Sequence, residues 1–181
     1  MRRRIARVNK AAWCATAVLL LCNQSSLAVE NMSLHGALVA EPCVIPPGDE
    51  TVVLDFDTVI DKYLYMNTRT PGQPFELHLA QCDLSLGKTV RVTFSGTESP
   101  ALPGLLALNG ASQASGIAIG METPQGEPLP VNQQGKAQAL VSGVNVLTAR
   151  AFVQGEPDAL KHKTIERGPF SAVATFSLEY E

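Results

Sequence analysis

Apolar residues fall on every second position in several stretches of the chain, and the last stretch is the clearest. In GPFSAVATFSLEYE (168–181) the alternate positions are Phe170, Ala172, Ala174, Phe176, Leu178 and Tyr180. Successive side chains of a β-strand point to opposite faces, so this period predicts a half-buried strand with one face in a core. A strand also needs neighbours along its edges, and an apolar strand that is open on one edge can pair with another chain. The terminal strand therefore raises the question of what covers its second edge.

Four earlier stretches have the same period of two. They are FELHLAQC (75–82), TVRVTF (89–94), GIAIGM (116–121) and LTARAFV (147–153). Shorter apolar runs at 37–45 and 51–56 predict two further strands, and segments rich in proline and glycine separate the strands. No amphipathic helix is predicted, because DALKHK (158–163) is too short, and 58–74 is predicted to be a long loop with a helical turn. The chain is therefore predicted to be all-β, with short strands at the spacing of a β-sandwich.

The first 28 residues have the organisation of a secretory signal peptide. Five basic residues precede the apolar stretch 11–22, and Ser26 and Ala28 provide the small residues of a cleavage site. A membrane anchor is the alternative, but this apolar stretch is too short to span a bilayer. Cleavage after Ala28 leaves residues 29–181, which is the size of one domain, and no second domain is expected.

Removal of the signal peptide changes the charge balance of the chain. The mature chain keeps 9 Lys and Arg against 17 Asp and Glu, a net charge of −8. An acidic surface argues against nucleic acid or an anionic membrane as the partner.

The cysteine count indicates the same oxidising compartment. Cys14 and Cys22 leave with the signal peptide, and Cys43 and Cys82 remain. An even pair in a secreted protein predicts one disulfide bond. A redox-active pair is not expected, because the Cys-x-x-Cys spacing is absent.

The chain carries no recognisable catalytic or metal-binding motif. His35, His78 and His162 lack the spacing of metal ligands. Asp55, Asp57 and Asp61 form an acidic cluster without the loop spacing and glycine of an EF-hand, so a solvated loop is expected. Neither a G-x-S-x-G turn nor a phosphate-binding loop is present. We expect no enzymatic activity, no cofactor and no metal.

The predicted mature chain begins on a second exposed strand. In VENMSLHGALV (29–39) the alternate positions are Met32, Leu34, Gly36 and Leu38. The two terminal strands can either pair with each other or each pair with another molecule, and the period does not decide between these. Gly36 fits a place where two backbones approach closely, or it is a bulge or turn residue.

The terminal motif resembles the carboxy-terminal motif of pilin subunits assembled by the bacterial chaperone–usher pathway. The motif begins with Gly168 and has Tyr180 as its penultimate residue. The likeness extends to GALVAEPC with the first cysteine, FELHLAQC with the second, VRVTFSGTE, LPG and GIAIGM. In order and spacing these pieces are most similar to minor, adaptor-like subunits of P-type pili.

The resemblance implies an incomplete immunoglobulin-like sandwich, residues 40–181, that lacks its last strand and is completed in trans by a donor strand. The groove left by that strand would follow Gly168, Phe170, Ala172, Ala174, Phe176, Leu178, Tyr180 and Glu181. Residues 29–39 would be the donor-strand extension, and Met32, Leu34, Gly36 and Leu38 would enter a neighbour's groove. Strand addition of this kind combines main-chain hydrogen bonds with pockets for alternate side chains.

The resemblance also implies partners and a location. The partners would be a periplasmic chaperone, an outer-membrane usher and neighbouring pilin subunits, and basic residues of the chaperone would hold the carboxylate of Glu181. The protein would pass through the periplasm to a surface fimbrium, without a membrane span in the mature chain. Three alternatives stay open: a fibre-terminating or anchoring subunit, a rod subunit and, in a different class, a carbohydrate-binding adhesin module.

Overall fold

A computed structural model describes residues 35–181 of the chain. The predicted signal peptide, together with Met32 and Leu34 of the predicted extension, lies outside the described residues. The compact unit Val39–Glu181 contains two short helices, α1 (Asp61–Asn67) and α2 (Pro157–His162). Its six strands are β1 (Gln73–Cys82), β2 (Thr89–Ser95), β3 (Ile117–Glu122), β4 (Gln138–Ala139), β5 (Gly143–Gly155) and β6 (Thr175–Tyr180).

The strands form two antiparallel three-stranded sheets. The strand order is β1–β5–β3 in the first sheet and β4–β2–β6 in the second. Alternate residues of both sheets pack into one shared core, which includes Leu77, Leu79, Val90, Val92, Phe94, Ile119, Met121, Leu147 and Ala151. The sheets are therefore the two layers of a β-sandwich, as the short alternating runs predicted.

The strongly alternating runs are all confirmed as strands, and the two shorter runs are not. Within 37–45 only Val44 pairs, through a single bridge to Ala80, and 51–56 forms no strand. The terminal ladder is also shorter than predicted, because it begins at Thr175. Periodicity describes which face of a segment is apolar, whereas a strand also requires a neighbour for its main chain. The segment 51–56 has no main-chain partner among the described residues, and 168–174 is bonded on one edge to a loop and not to a strand.

The predicted absence of helices is wrong at 158–163. Helix α2 has a proline in its first turn with Asp158, and it ends with Lys161 and His162 before a left-handed Lys163. These are favourable helix-end signals, and burial of Ala159 fixes this short helix on the domain. Helix α1 confirms the helical turn that was predicted within 58–74, and its Leu64 is buried in a second apolar cluster. None of the described helices is long and apolar enough to cross a membrane.

The disulfide bond Cys43–Cys82 is present, as predicted. Both cysteines are buried in the core cluster, and Cys82 is the last residue of β1. The main chain of Val44 exchanges two hydrogen bonds of 2.8 Å with Ala80 next to it. The disulfide thus fastens the segment that precedes 50–59 to the first sheet.

Replacing both cysteines by alanine should lower the free energy of unfolding by about 4 kcal/mol, because a loop of this length restricts the unfolded chain by that amount. The sequence separation of the pair is 39 residues. Urea unfolding of the variant and of the oxidised wild type, both bound to the same strand donor, measures the difference. The reduced wild type is the matched control and should unfold with the variant, whereas equal midpoints for variant and oxidised protein would contradict the prediction.

Candidate functional site: an open groove along the terminal strand

Strand β6 lies at the edge of the second sheet, with β2 as its one partner among the described residues. Glu181 and Thr89 exchange both main-chain hydrogen bonds, so the odd-numbered residues of β6 face β2. In an antiparallel ladder the main-chain groups of the intervening residues point the other way. The N–H and C=O groups of Phe176, Leu178 and Tyr180 therefore point to an edge on which the described residues place no strand.

The same alternation continues upstream of β6. The carbonyl of Pro169 accepts a hydrogen bond from the N–H of Gln113 at 2.9 Å, and the carbonyl of Ser171 accepts one from Asn109 at 2.8 Å. Phe170, Ala172 and Ala174 make no main-chain hydrogen bonds within the described part of the chain. The six even-numbered residues from Phe170 to Tyr180 thus present one continuous unpaired main-chain edge.

Gly168 is required where this edge begins. Its φ of +155° lies in a region that side chains rarely adopt, and a Cβ there would lie 2.6 Å from the Cβ of Gln113. Only glycine lets the chain pass this close to the 109–114 loop. The first residue of the terminal motif therefore sets the path of everything that follows it.

A groove of about 1040 Å³ runs beside this edge and reaches the core. Its floor is built from both sheets and consists of Phe75, Leu77, Phe94, Ile119, Met121 and Ala151, with Leu106 from a loop. Phe75 and Phe94 meet edge to face, with ring centroids 5.9 Å apart. The six apolar side chains of the terminal segment are each half-buried and pack on this core, so they are covered on one side and open on the other.

The second wall of the groove is the segment 50–59. It has an extended course without an assigned strand, and Leu54, Phe56 and Val59 are half-buried while Asp55 and Asp57 are exposed. The described residues provide no main-chain hydrogen bonds between this wall and the terminal segment. The two walls are therefore not paired with each other, because strands that pair directly exchange main-chain hydrogen bonds.

The two walls are tied together at the Phe170 end. The rings of Phe56 and Phe170 approach each other with centroids 6.3 Å apart. The Arg167 guanidinium donates to the carboxylate of Asp61 at 2.6 and 3.0 Å. This contact holds the pKa of Asp61 below its ordinary value of 3.8. The groove is thus closed by contacts within the chain at this end.

The opposite end of the terminal segment is fixed to β2. The carbonyl oxygen of Glu181 accepts hydrogen bonds from Lys88 and Thr89 at 2.7 and 3.0 Å, and its side chain lies 3.2 Å from Arg91. Burial, with a smaller contribution from Glu41, raises the pKa of the Tyr180 phenol. The edge strand is therefore held in place along the sheet while its other side stays open.

The predicted site residues thus separate into two groups. All eight predicted residues of the terminal motif lie on one continuous segment. Five of them line the groove itself: Gly168, Phe170, Ala172, Ala174 and Phe176. Gly36 and Leu38 of the predicted extension lie in a segment without regular structure, and Leu38 is fully exposed. Whether 29–39 acts as a donor strand stays a prediction.

His78 and His162 contact neighbouring carboxylates or main chain. His78 lies 3.2 Å from the carboxylate of Asp49 and 3.3 Å from that of Glu76 on the surface of the first sheet. His162 contacts the carbonyl of Asp158 within α2. No group of acidic, histidine or cysteine side chains within residues 35–181 could hold a metal ion.

Sequence reasoning missed the second wall and the floor. The run 51–56 was predicted as a strand, and its alternating Leu54 and Phe56 are the signal that it borders the core. The floor residues come from four strands, and only the folded topology brings them under one gap.

Comparison with known proteins agrees with this geometry. The family model of fimbrial proteins matches residues 32–181. Fimbria A protein of Serratia marcescens is 30% identical over 167 residues, covering 92% of this chain and 93% of that protein. The fimbrial adapter PapK of Escherichia coli is 29% identical over 156 residues, covering 83% of this chain and 87% of the adapter. A solved chaperone–usher pilus contains a chain with a TM-score of 0.67 and 25% identity, covering 83% of this chain and 94% of that one.

The fold and the open groove define a pilin with an immunoglobulin-like sandwich that lacks a strand. The chain belongs to the fimbrial protein family and is a pilin subunit of the chaperone–usher type. The members of this family are structural pilins and not enzymes.

Proposed function

We propose that this chain is a minor pilin that links two neighbouring subunits of a surface fimbria. Its groove accepts a donor strand, first from a periplasmic chaperone and then from the next subunit, and its own residues 29–39 enter the groove of the preceding subunit. Residues 1–28 are the signal peptide and 40–181 the pilin domain. The protein acts without enzymatic activity, and an outer-membrane usher assembles it into the fibre.

The observation that carries this proposal is the unpaired edge beside the apolar gap. Each of the six alternate residues from Phe170 to Tyr180 has a half-buried side chain and an unpaired main chain. An extended segment placed in the gap would pair with this edge and cover the floor at the same time. Unpaired buried main-chain groups and exposed core residues are both unfavourable, so one added strand removes two costs.

The open groove supports a subunit that accepts a strand, as a linking subunit does. It is about 1040 Å³ and reaches both sheets. The similarity to a fimbrial adapter supports the same assignment. A head-to-tail contact of this kind does not close on itself, so it produces a fibre.

Expression of the full precursor in an oxidising periplasm, with and without its cognate chaperone, tests the proposal. We expect soluble, protease-resistant protein only with the chaperone, as a one-to-one complex on size exclusion. A stable monomer without the chaperone would contradict the proposal, because it would mean that the chain closes its own groove.

A further inference from the structure

The rim of the groove carries three unpaired carboxylates. Glu50, Asp55 and Asp57 line the groove along its second wall, and all three are exposed. Among residues 35–181 none of these carboxylates lies within ion-pair distance of a basic side chain, although the flanking Asp49 and Asp61 contact His78 and Arg167. The lining of the groove contains no lysine, arginine or histidine. The groove is therefore negative on one side and neutral on the other.

The wall geometry directs these charges along the rim. Leu54 and Phe56 turn towards the core, so Asp55 between them turns outwards. The carboxylate of Asp55 accepts the N–H of Asp57 at 2.8 Å, and that of Glu50 accepts the N–H of Gly48 at 2.7 Å. These bonds fix the side chains but leave their charge without a counterion from the chain.

The chain's own extension does not complement this rim. Residues 29–61 contain seven acidic residues and no lysine or arginine. Within 29–39 the positions between the apolar ones are polar or small, and the extension carries Glu30. The extension of a second copy of this chain would therefore offer no lysine or arginine to Glu50, Asp55 and Asp57.

The geometry points to a selective occupant of the groove: an extended segment of a different protein, apolar on alternate positions and carrying lysine or arginine on the intervening ones. This inference rests on the proposed strand-accepting function. A strand in the gap places its outward side chains beside the exposed residues of 50–59, at the distance of cross-strand neighbours. Opposite charges on neighbouring strands attract, and like charges repel, so the rim selects among strands with the same apolar face.

Three peptides with one apolar face test this charge selection. The first is the eleven-residue extension 29–39. The second carries Asn31→Lys, Ser33→Lys and Ala37→Lys, and the third carries glutamate at the same positions, so both keep Met32, Leu34, Gly36 and Leu38. Because the substitutions cover the outward face, the result does not depend on the direction in which the peptide binds. Residues 29–181 are diluted from denaturant into each peptide, and the one-to-one complex is measured by native mass spectrometry.

At about 20 mM salt the lysine peptide should bind at least about tenfold more tightly than the glutamate peptide, taking about threefold for each surface ion pair. The unmodified extension should fall between them. The difference should shrink at about 500 mM salt, where the screening length is only a few ångströms. It should also shrink in a chain with Glu50→Gln, Asp55→Asn and Asp57→Asn, which keep the acceptors of both rim hydrogen bonds.

The possible failures are distinguishable. Equal binding of the three peptides, or a difference that the neutral rim variant retains, would overturn the charge selection and leave the groove as a strand acceptor. Binding of the unmodified extension as tight as that of the lysine peptide would point to a second copy of this chain as the occupant. Failure of every peptide to bind would overturn the strand-accepting function together with the inference.

Discussion

Replacing Phe176 by aspartate should abolish recovery of soluble subunit from the periplasm. Phe176 lines the groove, is half-buried against the core and lies directly opposite Phe94 on β2. A donor strand would bury this position completely. An unpaired buried charge costs several kcal/mol, which is a large part of the roughly 5–15 kcal/mol that stabilises a domain. The measurement is the amount of subunit that copurifies with a tagged chaperone.

Ser177 provides the matched control on the same strand. It lies opposite Thr93, and its side chain is exposed on the outer face of the second sheet. Ser177→Asp therefore adds the same charge one residue away without entering the groove, and we expect nearly normal recovery. A normal yield of Phe176→Asp as a soluble monomer would mean that this face is not part of a donor-binding core.

The alternation of apolar residues correctly predicted those strands that have a partner strand within the chain. The runs in β1, β2, β3 and β5 alternate strongly, and each has a partner strand. The run 51–56 alternates as well, yet it forms no strand because its neighbour is missing. A sequence pattern reports the burial of side chains, whereas a ladder depends on main-chain partners that lie elsewhere in the fold.

The candidate site was predictable on one side only. The terminal motif gave its edge residues, because a half-buried strand from Phe170 to Tyr180 is visible in the alternation itself. The opposite wall and the floor depend on how separate strands converge. Asp55 and Asp57 were expected to lie in a solvated loop. Their proposed role in selecting a strand depends on their place on the groove rim, which the sequence does not show.

The structure gives a physical reason for the glycine at position 168. The sequence marked it as the first residue of the terminal motif, with no indication of what it contacts. The structure places the 109–114 loop where its side chain would be. Hydrogen bonds from this loop then occupy one edge of Pro169 and Ser171, which leaves the other edge for a partner.

Deleting residues 29–39 should separate the two proposed roles of the chain. The groove consists of residues from Ile45 onwards, so the shortened subunit should still form a complex with its chaperone. It should fail to insert into the preceding subunit, because the deletion removes the apolar positions that would fill that subunit's groove. Incubating the chaperone complex with the preceding subunit, and following the mixed complex by gel shift, measures the insertion. We expect its complete loss.

Two point variants control for a general effect of the deletion. Leu34→Asp changes the apolar face of the extension and should reduce insertion strongly, whereas Ser33→Asp changes the intervening face and should affect it much less. The logic is that alternate side chains in pockets provide the specificity of strand addition, while the main-chain bonds are common to both variants. Loss of chaperone binding by the shortened subunit would mean that the extension is part of the accepting site. In that case residues 29–39 would belong to the fold of the subunit itself rather than to its neighbour.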